Sequence, residues 1–240
     1  MIKTIKTMSK QEKERYTVPR KVQDVIPVRR IWPDGIFLVG NKFSKTYKFS
    51  DINYLVASRE DKESMFLTYS ELLNSLDSGA VTKITINNRR MNQANFETSI
   101  LMPMQGDFRD EYRGEYNQML LDKATGANGI MQEKYITISV VKKDVEEARA
   151  YFSRVGADLI SHFAALGSKC VELDATERLR ILHDFYRQGE ESEFVFNARE
   201  MMKRGHSFKD YICPDGIEKK SDYLKLGGKF CRVLFLKDYA

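Results

Sequence analysis

The chain has 240 residues, 42% hydrophobic and 30% charged with 5 Pro and 14 Gly, the composition of a folded domain and not of a disordered or collagenous chain. Three cysteines, Cys170, Cys213 and Cys231, are odd in number and lack any C-x-x-C pair, so reduced thiols are expected instead of a disulfide framework or zinc site. The net charge of +5 is carried wholly by residues 1–21, where Lys3, Lys6, Lys10, Lys13, Arg15, Arg20 and Lys21 oppose Glu12 and Glu14, leaving a charge-balanced remainder.

Residues 1–24 read as a flexible basic tail that could meet anionic lipid heads or nucleic-acid phosphates. The extended run from Val25 to Trp32 then meets Pro33-Asp34-Gly35, a turn signal. Ile36 to Val39 and Lys42 to Phe49, joined by Gly40-Asn41, predict a half-exposed strand pair in which Phe43, Lys45, Tyr47 and Phe49 alternate with polar neighbours.

Between Glu60 and Leu76, Met65, Phe66, Tyr69, Leu72, Leu73 and Leu76 recur at helical spacing, with Gly79 as a stop. Val81 to Ile86 alternates as a strand, and Asp107 to Lys123 reads as a helix with Phe108, Tyr112, Met119 and Leu120 on one side. Its carboxylates Asp107, Asp110, Glu111 and Glu115 alternate with Arg109 and Arg113, a solvated face and not an acid–base pair.

Tyr135 to Val141 and Cys170 to Leu173 read as strands, with helices opened by Asp144 and Asp174. Each aspartate is followed three residues later by Glu147 or Glu177, in the manner of a capping box. Strand, helix and strand predict a βαβ unit, parallel if the strands are neighbours. With hairpins near both ends, the expected class is α+β: a mixed sheet with helices packed on it, in one domain over 25–240.

Ile31-Trp32-Pro33-Asp34-Gly35-Ile36 is echoed by Ile212-Cys213-Pro214-Asp215-Gly216-Ile217, and Gly40-Asn41-Lys42-Phe43 by Gly227-Gly228-Lys229-Phe230. Duplication and two independent choices of good turn residues explain this equally well.

Chemical signatures are missing. Gly167-Ser168-Lys169 has His162 where a phosphate-binding loop of the form G-x-x-x-x-G-K-[ST] needs its first glycine. The run Val233-Leu234-Phe235-Leu236-Lys237-Asp238 has an apolar strand and an acid, but Lys237 interrupts a metal-supporting pattern. His162, His183 and His206 are dispersed, and His206 with Cys213 supplies two of the four ligands that zinc wants. No catalytic, cofactor-binding or metal residue is therefore assigned. Aromatic residues in a charge-balanced domain suit protein–protein contacts better than strand stacking, which needs a basic groove.

The run from Val22 to Phe49, the helix around Phe66 to Leu76, and the ending Gly228 to Tyr239 together resemble the N-terminal, non-motor part of VirB/TrbE/CagE-type conjugative-transfer ATPases of type IV secretion systems from Gram-positive conjugative elements. The likeness covers nearly the whole chain after the tail and rests on strand and turn patterns. It implies that this chain is a docking and assembly portion of a longer protein, cut near a domain boundary at Ala240. ATP and Mg would belong only to a motor domain further along, and this chain would not be an enzyme. The resemblance further implies a cytoplasmic protein peripheral to the membrane that self-associates and contacts channel and inner-membrane components, powering channel assembly or DNA transfer. The alternatives are a stand-alone nucleic-acid-binding accessory protein that uses the basic tail, and a small enzyme with an unseen site.

Overall fold

A computed structural model describes residues 19, 21–90, 101–126 and 130–236, so most of the basic tail lies outside the described residues. Its last part is a short helix, α1 (Val22–Val25), whose Val22 packs against the core. Strands β1 (Val28–Ile31), β2 (Phe37–Val39) and β3 (Lys42–Phe49) follow as an antiparallel meander. The first turn needs its glycine: Gly35 has φ +77°, and a Cβ there would stand 2.0 Å from the carbonyl oxygen of Leu173.

Beyond the meander come α2 (Arg59–Asn74), β4 (Val81–Arg90), α3 (Asp110–Gly126), β5 (Ile130–Val140), α4 (Val145–Ala165), β6 (Cys170–Glu172), α5 (Ala175–Tyr186) and α6 (Ala198–Met201). A separate small sheet of β7 (Ile217–Lys219), β8 (Leu224–Leu226) and β9 (Lys229–Cys231) ends the ordered elements. The class is α+β, as the alternation of patterns requires.

The main sheet runs β1-β2-β3-β5-β4, with β6 also paired to β3. β5 takes one edge of β3, while β2 and β6 share the other, β2 at residues 42–44 and β6 at residues 47–49. This corrects the expected mixed sheet: every pairing among the described strands is antiparallel. β5 and β6 do run in the same direction on either side of α4, but β3 lies between them. The reason is order of supply, because the meander has already placed β3 with one whole edge free for β5 and, beyond the three residues that β2 pairs, the end of the other edge free for β6.

β3 is also not half-exposed, since residues 43–47 are all buried. On one face its Phe43 and Tyr47 join Ile136 and Ile138 under α4, which presents Tyr151, Phe152, Val155, Leu159 and Phe163 at spacings of three and four. Gly156 permits the approach: a Cβ there would lie 2.9 Å from the Tyr47 hydroxyl, which donates to the Phe152 carbonyl at 3.2 Å. On the other face α5 buries Ala175 and Leu179 against Ile26, Val28 and Phe37.

A charge holds this second layer. Arg178 of α5 donates to the carbonyls of Gly35 and Ser44, each at 2.7 Å, and to the Ser44 hydroxyl at 3.1 Å, while its guanidinium stacks 4.0 Å above the Phe37 ring. Burial lowers its pKa to about 9, which leaves it charged at neutral pH. The predicted N-cap is found at both helices and the predicted capping box only at α5. Asp174 and Glu177 form the full reciprocal box, whereas Asp144 caps Glu147 and the Glu147 carboxylate takes the amide of Lys143 instead.

The Pro-Asp-Gly echo is not one of structure. Gly35 takes a positive φ between two strands, but Gly216 does not, and a 3-10 turn at Phe208–Tyr211 precedes it. The apolar run after β9 has no regular structure over 232–236 and is exposed, Leu234 at 84%.

Candidate interaction surface

Strands β4 and β5 form the longest ladder among the described residues, from Val81↔Ser139 to Arg90↔Ile130. β3 stops at Phe49↔Lys134, so the outer end of this hairpin projects as a two-stranded ribbon. The chain leaves the ribbon at Arg90 and re-enters it at Ile130, and α3 lies between these two in sequence. This arm is therefore carried away from the body by the sheet itself.

Polar ties fold the arm onto itself. The Asn117 side chain closes a two-way pair with Met102, accepting from its amide at 2.8 Å and donating to its carbonyl at 2.9 Å. Asp110 accepts from the amides of Gln105 and Gly106 at 3.0 and 2.7 Å. Arg113 then bridges Asp107 at 2.5 Å and Asp110 at 2.6 Å and reaches Gln105. The Arg113 hydrogen bond holds the Asp107 carboxyl below its usual range; for Asp110 the Gln105 amide is the larger cause, followed by Arg113. The alternating charges expected to be a solvated face thus include a clamp that sets the loop before α3.

The apolar side chains of the arm face solvent. Tyr112, Tyr116 and Met119 share one side of α3 at spacings of four and three, and Phe108 precedes them by four residues. They are exposed at 69%, 43%, 41% and 83%, and no residue over 101–122 is buried. Monomer surfaces rarely keep such clustered aromatic groups in water unless something covers them. A second apolar surface lies on α2, where Phe66 and Leu67 are exposed and only Leu72 is buried.

The residues weighed for chemistry are scattered. His162 is half-buried on α4 with Nδ1 2.7 Å from the Asp158 carbonyl; His183 is buried on α5 beside the Phe194 ring; His206 is exposed. Cys213 is buried near the end of the chain, and among the described residues no three His, Cys, Asp or Glu side chains come together as a metal site. Gly167 ends α4, and the Ser168 hydroxyl donates to the Ser50 carbonyl at 2.6 Å. Lys237 and Asp238 lie outside the described residues.

Sequence reasoning identified α3 and its apolar side but not the arm. The missing signal was the pairing of Arg90 with Ile130, which no local pattern encodes. Among the described residues no helix is long and apolar enough to cross a membrane. No protein-family model matches the chain, and no curated protein matches it at a significant level.

Proposed function

We propose that this chain is a non-catalytic docking and assembly domain, and that the protein it serves is a conjugative-transfer ATPase of a type IV secretion system. The observation that carries the docking reading is the arm: a segment ordered by its own polar ties that turns Phe108, Tyr112, Tyr116 and Met119 to water. Ordering a segment costs conformational entropy, and aromatic and methionine side chains return it when a partner desolvates them. The secretion context rests on the resemblance of Val22–Phe49, Phe66–Leu76 and the ending from Gly228, and on nothing else.

In this reading the arm contacts channel or inner-membrane components or a neighbouring subunit, while ATP and Mg are handled by a motor outside these residues. Calorimetry with Mg-ATP should give no saturable binding to residues 1–240; saturable binding would overturn the non-catalytic assignment. A photo-crosslinking residue at position 116 of the protein expressed from its source gene should capture a secretion-channel subunit or a second copy of itself. A crosslink to neither would remove the docking reading.

The charge of residues 1–21 favours one alternative, a nucleic-acid-binding accessory protein held at the membrane surface or on DNA by its tail. It requires salt-sensitive DNA binding that vanishes on deletion of residues 1–21. Binding that survives the deletion would remove the tail as its cause.

A further inference from the structure

The sheet face opposite α4 is roofed by α5 only on its β1–β2 side. Between α5 and strands β3, β5 and β4 lies a cavity of about 440 Å³, within the range of small-molecule sites. Its floor is made of alternating side chains that point away from α4: Thr46 and Thr137, whose hydroxyls are 2.9 Å apart, with Ser139, Thr85, Lys83 and Asn87. Its roof is apolar, formed by Ile181, Leu182 and Phe185, the last 57% exposed.

Three observations separate this cavity from an ordinary solvated sheet face. Lys83 and Arg178 border it and no carboxylate does. Arg178 is buried, and the acceptors it bonds are neutral carbonyl and hydroxyl oxygens, so its charge is not compensated by a counter-ion there. The side-chain amide nitrogen of Asn87, a residue that borders the cavity, is buried with no acceptor. A solvated face would expose its donors to water and would carry no apolar roof.

We propose that this cavity binds a small amphipathic anion, a carboxylate or phosphate on an apolar body, its charged end taken by Lys83 and Asn87 in the field of Arg178 and its body lying under Ile181, Leu182 and Phe185. The site is independent of the docking arm. Hydroxyls of the floor orient the anion, as the few placed polar groups of small-molecule pockets do. Charge-assisted bonds to the anion give selectivity over a neutral analogue of the same shape.

The test titrates the full chain with decanoate and with decanamide, which has the same hydrocarbon length and no charge, by calorimetry. Decanoate should saturate at one equivalent, and decanamide should bind about tenfold more weakly or worse. Lys83→Ala and Phe185→Ala, both at exposed positions, should each weaken decanoate by about tenfold while leaving the circular dichroism spectrum unchanged. The double substitution Tyr112→Ser, Met119→Ser should leave decanoate binding as it is.

No saturable decanoate binding, equal binding of decanamide, or indifference to both Lys83→Ala and Phe185→Ala would overturn the site. Loss on the arm substitutions would overturn it too, by moving the binding to α3. Phosphatidylglycerol vesicles that displace decanoate would assign the anion to a lipid, and vesicles that do not would assign it to a free solute; either result keeps the site.

Discussion

Helices α3 and α4 are both long and both carry aromatic residues at helical spacing, yet α4 buries seven residues and α3 none over its described side chains. The difference lies in where the chain delivers them. α4 follows β5 back across the sheet and closes over Tyr47, Ile136 and Ile138, whereas α3 is held at the tip of the β4–β5 ribbon. Helical spacing of apolar residues therefore says that a helix has a side to cover, and the connection decides whether the covering comes from its own chain.

That contrast is most easily broken by large-to-small substitutions. Phe152 of α4 is fully buried against the sheet, and Phe152→Ala should cost about 3–5 kcal/mol in urea unfolding. The pair Tyr112→Ser and Met119→Ser on α3 should stay within about 0.5 kcal/mol while abolishing capture at position 116. A cost on α3 comparable with that at Phe152 would mean that the arm packs on its own body.

Two helical glycines sharpen the comparison through opposite signs. Gly156→Ala sets a methyl 2.6 Å from the Glu172 carboxylate and 2.9 Å from the Tyr47 hydroxyl, so it should destabilise by about 1–3 kcal/mol. Gly114→Ala on α3 meets only the Met104 terminal methyl at 3.7 Å, and the gain in helix propensity should stabilise the arm by up to about 1 kcal/mol. Hydrogen exchange over 101–126 reads the second effect. Slower exchange after Gly114→Ala is the expected outcome, and faster exchange would show that the arm needs a flexible glycine.

Removing a cap comes next in size. Asp174→Ala takes the acceptor from the Glu177 amide at the start of α5 and should cost about 1 kcal/mol. Because α5 holds Arg178 against the sheet, the loss should be global and two-state, and a loss confined to α5 would show that this layer unfolds on its own.

What the sequence made legible is local. Pro33-Asp34-Gly35, the Asp174–Glu177 box and the start of α4 at Asp144 each state their conformation within four residues, and each is found where the pattern put it. Sheet order was not legible, because β5 and β6 carry equally good strand patterns and only the free edges of β3 decide their places. Arg178 was equally hidden: nothing around it in α5 announces that carbonyls of Gly35 and Ser44 would receive it. The cavity floor was hidden for the same reason, since Lys83, Thr85 and Asn87 alternate like any solvent-facing row until α5 is laid beside them.

The smallest effect separates arm from body by pH. Asp107 and Asp110 are held ionised by the Arg113 clamp and by amides of the loop, with pKa values below the ordinary carboxylate range. A depressed carboxylate contributes order that is present above its unfolded pKa and is lost as pH falls through its folded pKa. The arm should therefore keep its exchange protection through neutral and mildly acid pH and lose it in strong acid, and Arg113→Gln should move that loss to higher pH. Salt should weaken the clamp as well, because its carboxylates are partly exposed to solvent. In the body, the amides of the β3–β5 ladder, whose Tyr47, Ile136 and Ile138 are buried, should keep their exchange protection over the same range, reporting that the sheet is still closed. Arm exchange that accelerates before that of the β3–β5 ladder would establish the arm as the separately ordered part. Simultaneous loss would mean that α3 draws its order from the core, and the exposure of Tyr112, Tyr116 and Met119 would then need another explanation than a missing partner.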